Sequence, residues 1–180
     1  MTTRVAEDHI ASAPELKLKT TVRPATENDI PGMIQIVNEN VRLGHLLPRS
    51  PENIRASIDT WLVAEIDGQL VGIGSLLSMS PTLVEVRSLA VLPSYRRYGV
   101  GAAIVNGLVD QAKVRGIPTV FALTRAVPFF ERLGFHITSR ERFPEKVWKD
   151  CVVCPLRNAC DETAVVMNLQ AELHDREEDS

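Results

Sequence analysis

Leu89-Ala-Val-Leu-Pro-Ser-Tyr-Arg-Arg-Tyr-Gly-Val-Gly-Ala102 is where the order of elements becomes readable. Its first residues close a strand that begins at Leu83. Pro93 to Tyr98 then reads as a basic loop, and a helix starts at Gly99 or Val100. Ile104, Val105, Leu108, Val109 and Ala112 recur at helical spacing behind that start. A strand, a turn through Gly99 and Gly101, and a helix together point backbone N–H groups outward at the positive end of a helix dipole, which makes an anion site. Glycines let the backbone approach a ligand closely, and Arg96 and Arg97 add charge that suits a pyrophosphate. No Gly-Lys-Ser/Thr follows, so this is not a nucleoside-triphosphate loop. Ile104 stands where a dinucleotide fingerprint needs its third glycine. Taken alone, a surface turn with ordinary arginines would look the same.

Toward the N-terminus, Trp61–Ile66 and Gln69–Leu77 flank Asp67-Gly68, the signature of a tight hairpin. Strict alternation along Leu83 to Val91 predicts that Glu85, Arg87, Leu89 and Val91 share one face. Thr20 to Ala25 reads as a short strand. Asn28 and Asp29 cap a helix through Met33, Ile34, Ile36 and Val37 that tolerates Pro31 early, and Ser50-Pro51-Glu52 starts another. Toward the C-terminus, Gly116 and Pro118 end the long helix. Thr119–Thr124 reads as a strand, Val127–Leu133 as a short helix stopped by Gly134, and Phe135–Ser139 and Thr163–Leu169 as strands. The expected fold class is α/β (α+β), a mixed domain with an early antiparallel region. It occupies residues 20–170, with a flexible lead-in over 1–19 and an acidic disordered tail over 171–180.

Of the 180 residues, 44% are apolar and 24% charged, a balance that excludes a wholly disordered or collagen-like chain. No apolar run approaches the roughly 18 residues a membrane span needs. Charges break up Met1 to Thr20, so a cytoplasmic location is expected. The net charge of −3 argues against bulk attraction to nucleic acid. Glu172, Asp175, Glu177, Glu178 and Asp179 against one Arg176 give the stretch 172–180 a charge of −4, which leaves about +1 for the other 171 residues.

Arg96-x-x-Gly99-x-Gly101 after a strand ending in Leu-Ala-Val resembles the acetyl-CoA signature of the GCN5-related N-acetyltransferases. Phe129-Phe-Glu-Arg-Leu-Gly-Phe135 is similar to that family's second signature, and both occur in the family's order. Four further segments resemble the acetyltransferase domain of bacterial N-acetylglutamate synthases: Val22–Ile30, Gly44–Ser50, Val120–Arg125 and Phe143–Lys146. The resemblance implies a mostly antiparallel sheet flanked by helices. It implies acetyl-CoA as cosubstrate and direct attack of an amine on the thioester, with glutamate as the leading acceptor and arginine biosynthesis as the setting. The chain offers no segment for the amino-acid-kinase domain of larger synthases, so arginine feedback is not expected. Another amine acceptor (polyamine, protein or small molecule) and a non-catalytic acetyl-CoA-binding module are the alternatives. A homodimer is compatible with this reading; nucleic-acid and membrane partners are not expected.

On the same resemblance, Leu89, Ala90 and Val91 lie along the pantetheine arm, and a backbone N–H near Leu89 or Ala90 faces the oxyanion. Arg96, Arg97, Tyr98, Gly99, Val100, Gly101 and Ala102 hold the pyrophosphate. Glu85 matches the general base, taking the proton through a water; its bland alternative is a solvated strand residue. Many members use a Tyr as acid where this chain has Phe130, so no acid is assigned. Arg49, Arg87 and Arg125, with Lys146 further back, are the cations for an acidic acceptor, although Arg87 could instead simply pair with Glu85. Cys151, Cys154 and Cys160 form a local cluster with the close pair of a zinc site but no evident fourth ligand. His136, Asp161 and His174 are candidates for that place. A structural zinc, reduced thiols and a redox-sensitive pair all remain open readings, and an iron–sulfur cluster has less support.

Overall fold

The computed structural model describes residues 19–170. The expected lead-in up to residue 18, the acidic tail and His174 lie outside the described residues. Seven strands form one sheet in the order β1-β2-β3-β4-β5-β7-β6. They are β1 (Thr20–Pro24), β2 (Trp61–Ile66), β3 (Gln69–Ser80), β4 (Leu83–Val91), β5 (Thr119–Thr124), β6 (His136–Thr138) and β7 (Thr163–Asn168). Every neighbouring pair is antiparallel except β4 and β5. Asp67 and Gly68 both take positive φ, 51° and 76°, as the two-residue hairpin turn between β2 and β3 requires.

Helix α1 (Ile30–Arg42) buries Ile30, Met33, Ile36, Val37 and Asn40, the stripe its periodicity dictates. With α2 (Pro51–Arg55), capped by the Ser50 hydroxyl, it covers one face of the sheet over Trp61, Val63, Ile73 and Ala90. Helix α3 (Val100–Val114) covers the other face, packing Ile104, Val105, Leu108 and Ala112 over Leu62, Ala64, Val84 and Val86. The short α4 (Val127–Glu131) adds Phe130 to this second core. A third, smaller cluster unites Leu83, Phe121, Ala164 and Val166 with Phe143, which stacks on Phe121 at 4.2 Å between ring centroids.

The alternation expected along β4 does not hold. Ser75 faces Arg87 and Ile73 faces Ala90, so Gly74 stands opposite both Ser88 and Leu89. This is a β-bulge, and Ser88 carries the positive φ of 53° that it demands. The extra residue shifts the parity of everything beyond it. Glu85, Arg87 and Ala90 face the α1 side, while Val84, Val86, Leu89 and Val91 face the α3 side. Leu89 and Val91 are therefore not on Glu85's face.

Candidate active site

Strands β4 and β5 pair only over Leu83–Glu85 and Thr119–Phe121. Beyond Glu85 no partner is shared and the two strands splay. A cleft of about 800 Å³ opens there, lined from one face by Val86, Leu89, Val91, Gly101, Phe129 and Phe130 and from the other by Asn40, His45, Arg49, Glu85, Arg87 and Lys146. Because the lining comes from both faces, the cleft passes through the sheet.

On the α3 side the loop and helix start take the expected form. Arg97 and Gly99 adopt positive φ, 70° and 77°, which turns the backbone into the helix. The N–H of Arg96 reaches the carbonyl of Pro93, and that of Ala103 closes the first helical bond onto Gly99. Between them, no backbone N–H from residues 97–102 makes a hydrogen bond to any described residue. Unsatisfied donors at the start of a long helix favour an anion. Arg97, Gly99, Val100, Gly101 and Ala102 line the cleft, whereas Tyr98, 55% exposed, does not. Arg96 lines the cleft but its guanidinium is already engaged, with Nη2 donating to Asn40 Oδ1 at 3.0 Å and lying 3.1 Å from His45 Nδ1. It braces the loop against the end of α1.

On the α1 side, Glu85 is 3% exposed. The segment after β6 reaches it because Phe143 anchors on Phe121, which faces Glu85 across the ladder. One turn, α5 (Pro144–Lys146), then continues as a π-helical turn over Val147–Cys151. Lys146, 8% exposed, places Nζ 2.8 Å from Glu85 Oε1 and donates to Asp150 Oδ2 at 2.9 Å. Arg87 Nη1 donates to Asp150 at 3.3 Å and stands 3.9 Å from Glu85 Oε2. Glu85 Oε2 itself is buried without a hydrogen-bond partner among the described residues. Burial would raise the Asp150 carboxyl, but the hydrogen bond from Lys146 and the surrounding cations hold it below its usual value. Glu162, also in the cleft wall, is raised by burial.

The expected acceptor cations separate into two kinds. Arg49 is half-buried in the cleft and makes no hydrogen bond or ion pair with a described residue; burial and the like charge of Arg87 pull its pKa down. Arg125 is exposed and committed, with Nε on Asp161 at 2.6 Å and Nη1 on the Gly44 carbonyl at 3.3 Å. Phe130 packs edge-on against Phe129 and Phe135, at 5.2 and 5.1 Å, and offers no proton. Sequence reasoning missed Asn40, His45 and Asp150. The Lys146/Asp150 spacing of four was the one available signal for the last of these.

The three cysteines are free thiols. Among the described residues, no three of His, Cys, Asp and Glu converge to hold a metal ion, so a structural zinc at the cysteines has no support there. Asp161 is occupied by Arg125, and His136 is exposed on β6. Cys151 has its pKa raised by burial, the state of a resting thiol. Cys154 and Cys160 stand in the cleft wall.

Residues 31–135 match the model of the acetyltransferase (GNAT) family. The chain belongs to that family. An uncharacterized N-acetyltransferase of Chlorobaculum tepidum is 38% identical over 150 residues, covering 83% of this chain and 97% of its own length. The amino-acid acetyltransferase of Pasteurella multocida is 27% identical over 77% of this chain, which spans only 32% of that longer protein. The N-acetylglutamate synthase of Neisseria gonorrhoeae, solved with coenzyme A and N-acetyl-glutamate, superposes with a TM-score of 0.72 at 26% identity over 84% of this chain and 35% of its own. A Mycobacterium tuberculosis protein in complex with CoA and NLQ gives 0.69 at 27% identity, over 83% of this chain and 99% of its own. This GNAT chain is an N-acetyltransferase close to the amino-acid acetyltransferases, with the mostly antiparallel sheet that its sequence implied. Among the described residues, no helix is long and apolar enough to cross a membrane.

Proposed function

We propose that this GNAT protein transfers the acetyl group of acetyl-CoA to the α-amine of an acidic amino acid, with glutamate the leading acceptor. The observation that carries the reading is Arg49, a half-buried guanidinium without a partner among the described residues, beside a buried carboxylate that has one oxygen unused. A cation that receives a carboxylate, next to a base that receives an amine proton, fits the two ends of an amino acid. Arg87 adds positive charge at the same place. The named relatives that act on amino acids, and the neighbour solved with coenzyme A and N-acetyl-glutamate, support the same substrate class.

Acetyl-CoA supplies the activated acyl group from the α3 side, where the free N–H groups of residues 97–102 suit its pyrophosphate. Leu89 and Val91, turned to that side by the bulge, flank the arm. The acceptor lies on the α1 side, so the two substrates meet through the sheet and no acyl-enzyme is needed. Glu85 Oε2 takes the amine proton through a water. A backbone N–H at Leu89 or Ala90, beside the bulge, faces the developing oxyanion. Water protonates the departing thiolate, whose pKa of roughly 8.5 is that of an ordinary thiol.

An acetyl-CoA consumption assay across amino acids, polyamines and peptides tests the reading. Turnover with glutamate far above the others is expected, and it should weaken through a raised KM when Arg49 is replaced by Met. Turnover on polyamines or peptides with none on glutamate overturns it.

A further inference from the structure

We propose that Lys146 is a positioning residue for Glu85: from a segment outside the acetyl-CoA motifs, it pairs with Oε1 of the buried carboxylate and so leaves Oε2 for the acceptor. The inference rests on reading Glu85 as the base. It begins from a difference between the two oxygens. Oε1 is 2.8 Å from the Lys146 ammonium, whereas Oε2 has no hydrogen-bond donor among the described residues and stands 3.9 Å from Arg87. A single strong ion pair on one oxygen fixes the plane of the carboxylate and leaves the other oxygen for the reaction.

The energetics require such a partner. Taking a carboxylate out of water favours its protonated form, and a protonated carboxyl could not take up the amine proton. An adjacent cation offsets that penalty only if it is itself delivered into the interior. The stacked Phe143 and Phe121 do this, pinning the segment one helical turn before Lys146. The other charged groups facing Glu85 are Arg87, Asp150, Arg49 and Glu162. Asp150 holds Lys146 from behind at 2.9 Å and also takes Arg87, so the ammonium's donors are directed at protein carboxylates. Lys146 therefore serves the base, and Arg49 is left to serve the acceptor.

The test is the pH profile of kcat/KM for acetyl transfer in the full chain, for Lys146→Met, Lys146→Arg and Asp150→Asn. With the cation gone, the acid limb should move up by roughly 1–3 units, so that activity lost at neutral pH returns on alkalinisation. Lys146→Arg should restore the limb. Asp150→Asn removes a negative charge while leaving Lys146 in place, so its limb should move down; this variant keeps the idea testable should Lys146→Met not fold. An equal loss at every pH, or a raised acceptor KM with an unmoved limb, overturns the proposal. A shift that disappears when Glu162→Gln is added also overturns it, since Glu162 would then own the limb. Glu85→Gln separates the two levels: full activity in that variant refutes the base assignment itself, whatever Lys146 does.

Discussion

Glu85 and Lys146 are two charges that would ordinarily sit in water, and each is buried because of the other. If Glu85 is the base, Glu85→Gln should lower kcat/KM by about 10²–10⁴-fold and leave CoA affinity unchanged, read by steady-state kinetics and calorimetry. The sequence offered Glu85 from the family's usual base position on its strand, Arg49 from a segment resembling the synthases, and Arg87 from sharing the face of Glu85. It could not assign Lys146 its partner, since a lysine after Phe-Pro-Glu is by composition a surface residue and only the Phe143–Phe121 stack reveals otherwise. Arg96 shows the same limit in reverse. Its position in the loop was readable, but its engagement by Asn40 and His45 depends on how α1 ends.

At the scale of elements, the long helix and the sheet approach most closely at glycines. A Cβ at Gly74 would lie 2.6 Å from Ile104 Cγ2, an atom on a stiff branch. Gly74→Ala should therefore destabilise the protein by about 1–3 kcal/mol, measured by urea unfolding. Gly72→Ala meets Ile104 Cδ1 and, on an equally stiff branch, Val100 Cγ1, both at 2.8 Å, and should cost a similar amount. A second joint ties β1, β2 and the start of α1: Arg23 donates to Asp29 at 2.8 Å and to Glu65 at 2.6 Å. Hydrogen bonding from Arg23 outweighs burial and holds the Asp29 carboxyl well below its ordinary 3.8. A depressed carboxylate contributes stability that is present above its unfolded pKa and is lost as pH falls toward the folded value. Asp29→Asn should thus be less stable than the native chain at pH 7, with the gap narrowing in urea melts below about pH 4. Strand and helix positions were readable because the hairpin, the Ser50 cap and apolar spacing are local signals; the cap expected from Asn28 and Asp29 does not form, since Asp29 stands at the helix start but its carboxylate accepts from Arg23 and Thr26 instead. The bulge was not, since Ser88-Leu89 fits an alternating pattern equally well.

Over the whole molecule, β4 and β5 share no partners past Glu85, and the cleft between them is lined by residues of both strands. A ligand that bridges both strands stabilises the folded state by mass action. CoA at a hundred times its Kd adds about 2.7 kcal/mol, which for a domain of this size is a rise in Tm of roughly 5–10 °C. Thermal melts with and without CoA check this, and hydrogen exchange should slow on both strands together. The overall topology followed from the order of motifs. The passage of the cleft through the sheet did not, because it depends on where two strands stop pairing.

The bulge at Ser88 also sets how this chain can vary. Substitutions along β4 change one wall or the other, so acceptor preference can drift through Glu85's side while the opposite wall stays intact. A deletion is another matter. Removing one residue between Arg87 and Ala90 would put the strand back into simple alternation and exchange its inner and outer surfaces from that point onward. Such a chain would keep its composition, its glycine loop and every charged residue named above, and would still lose its reaction chamber. In this protein, length at a single position carries as much information as identity.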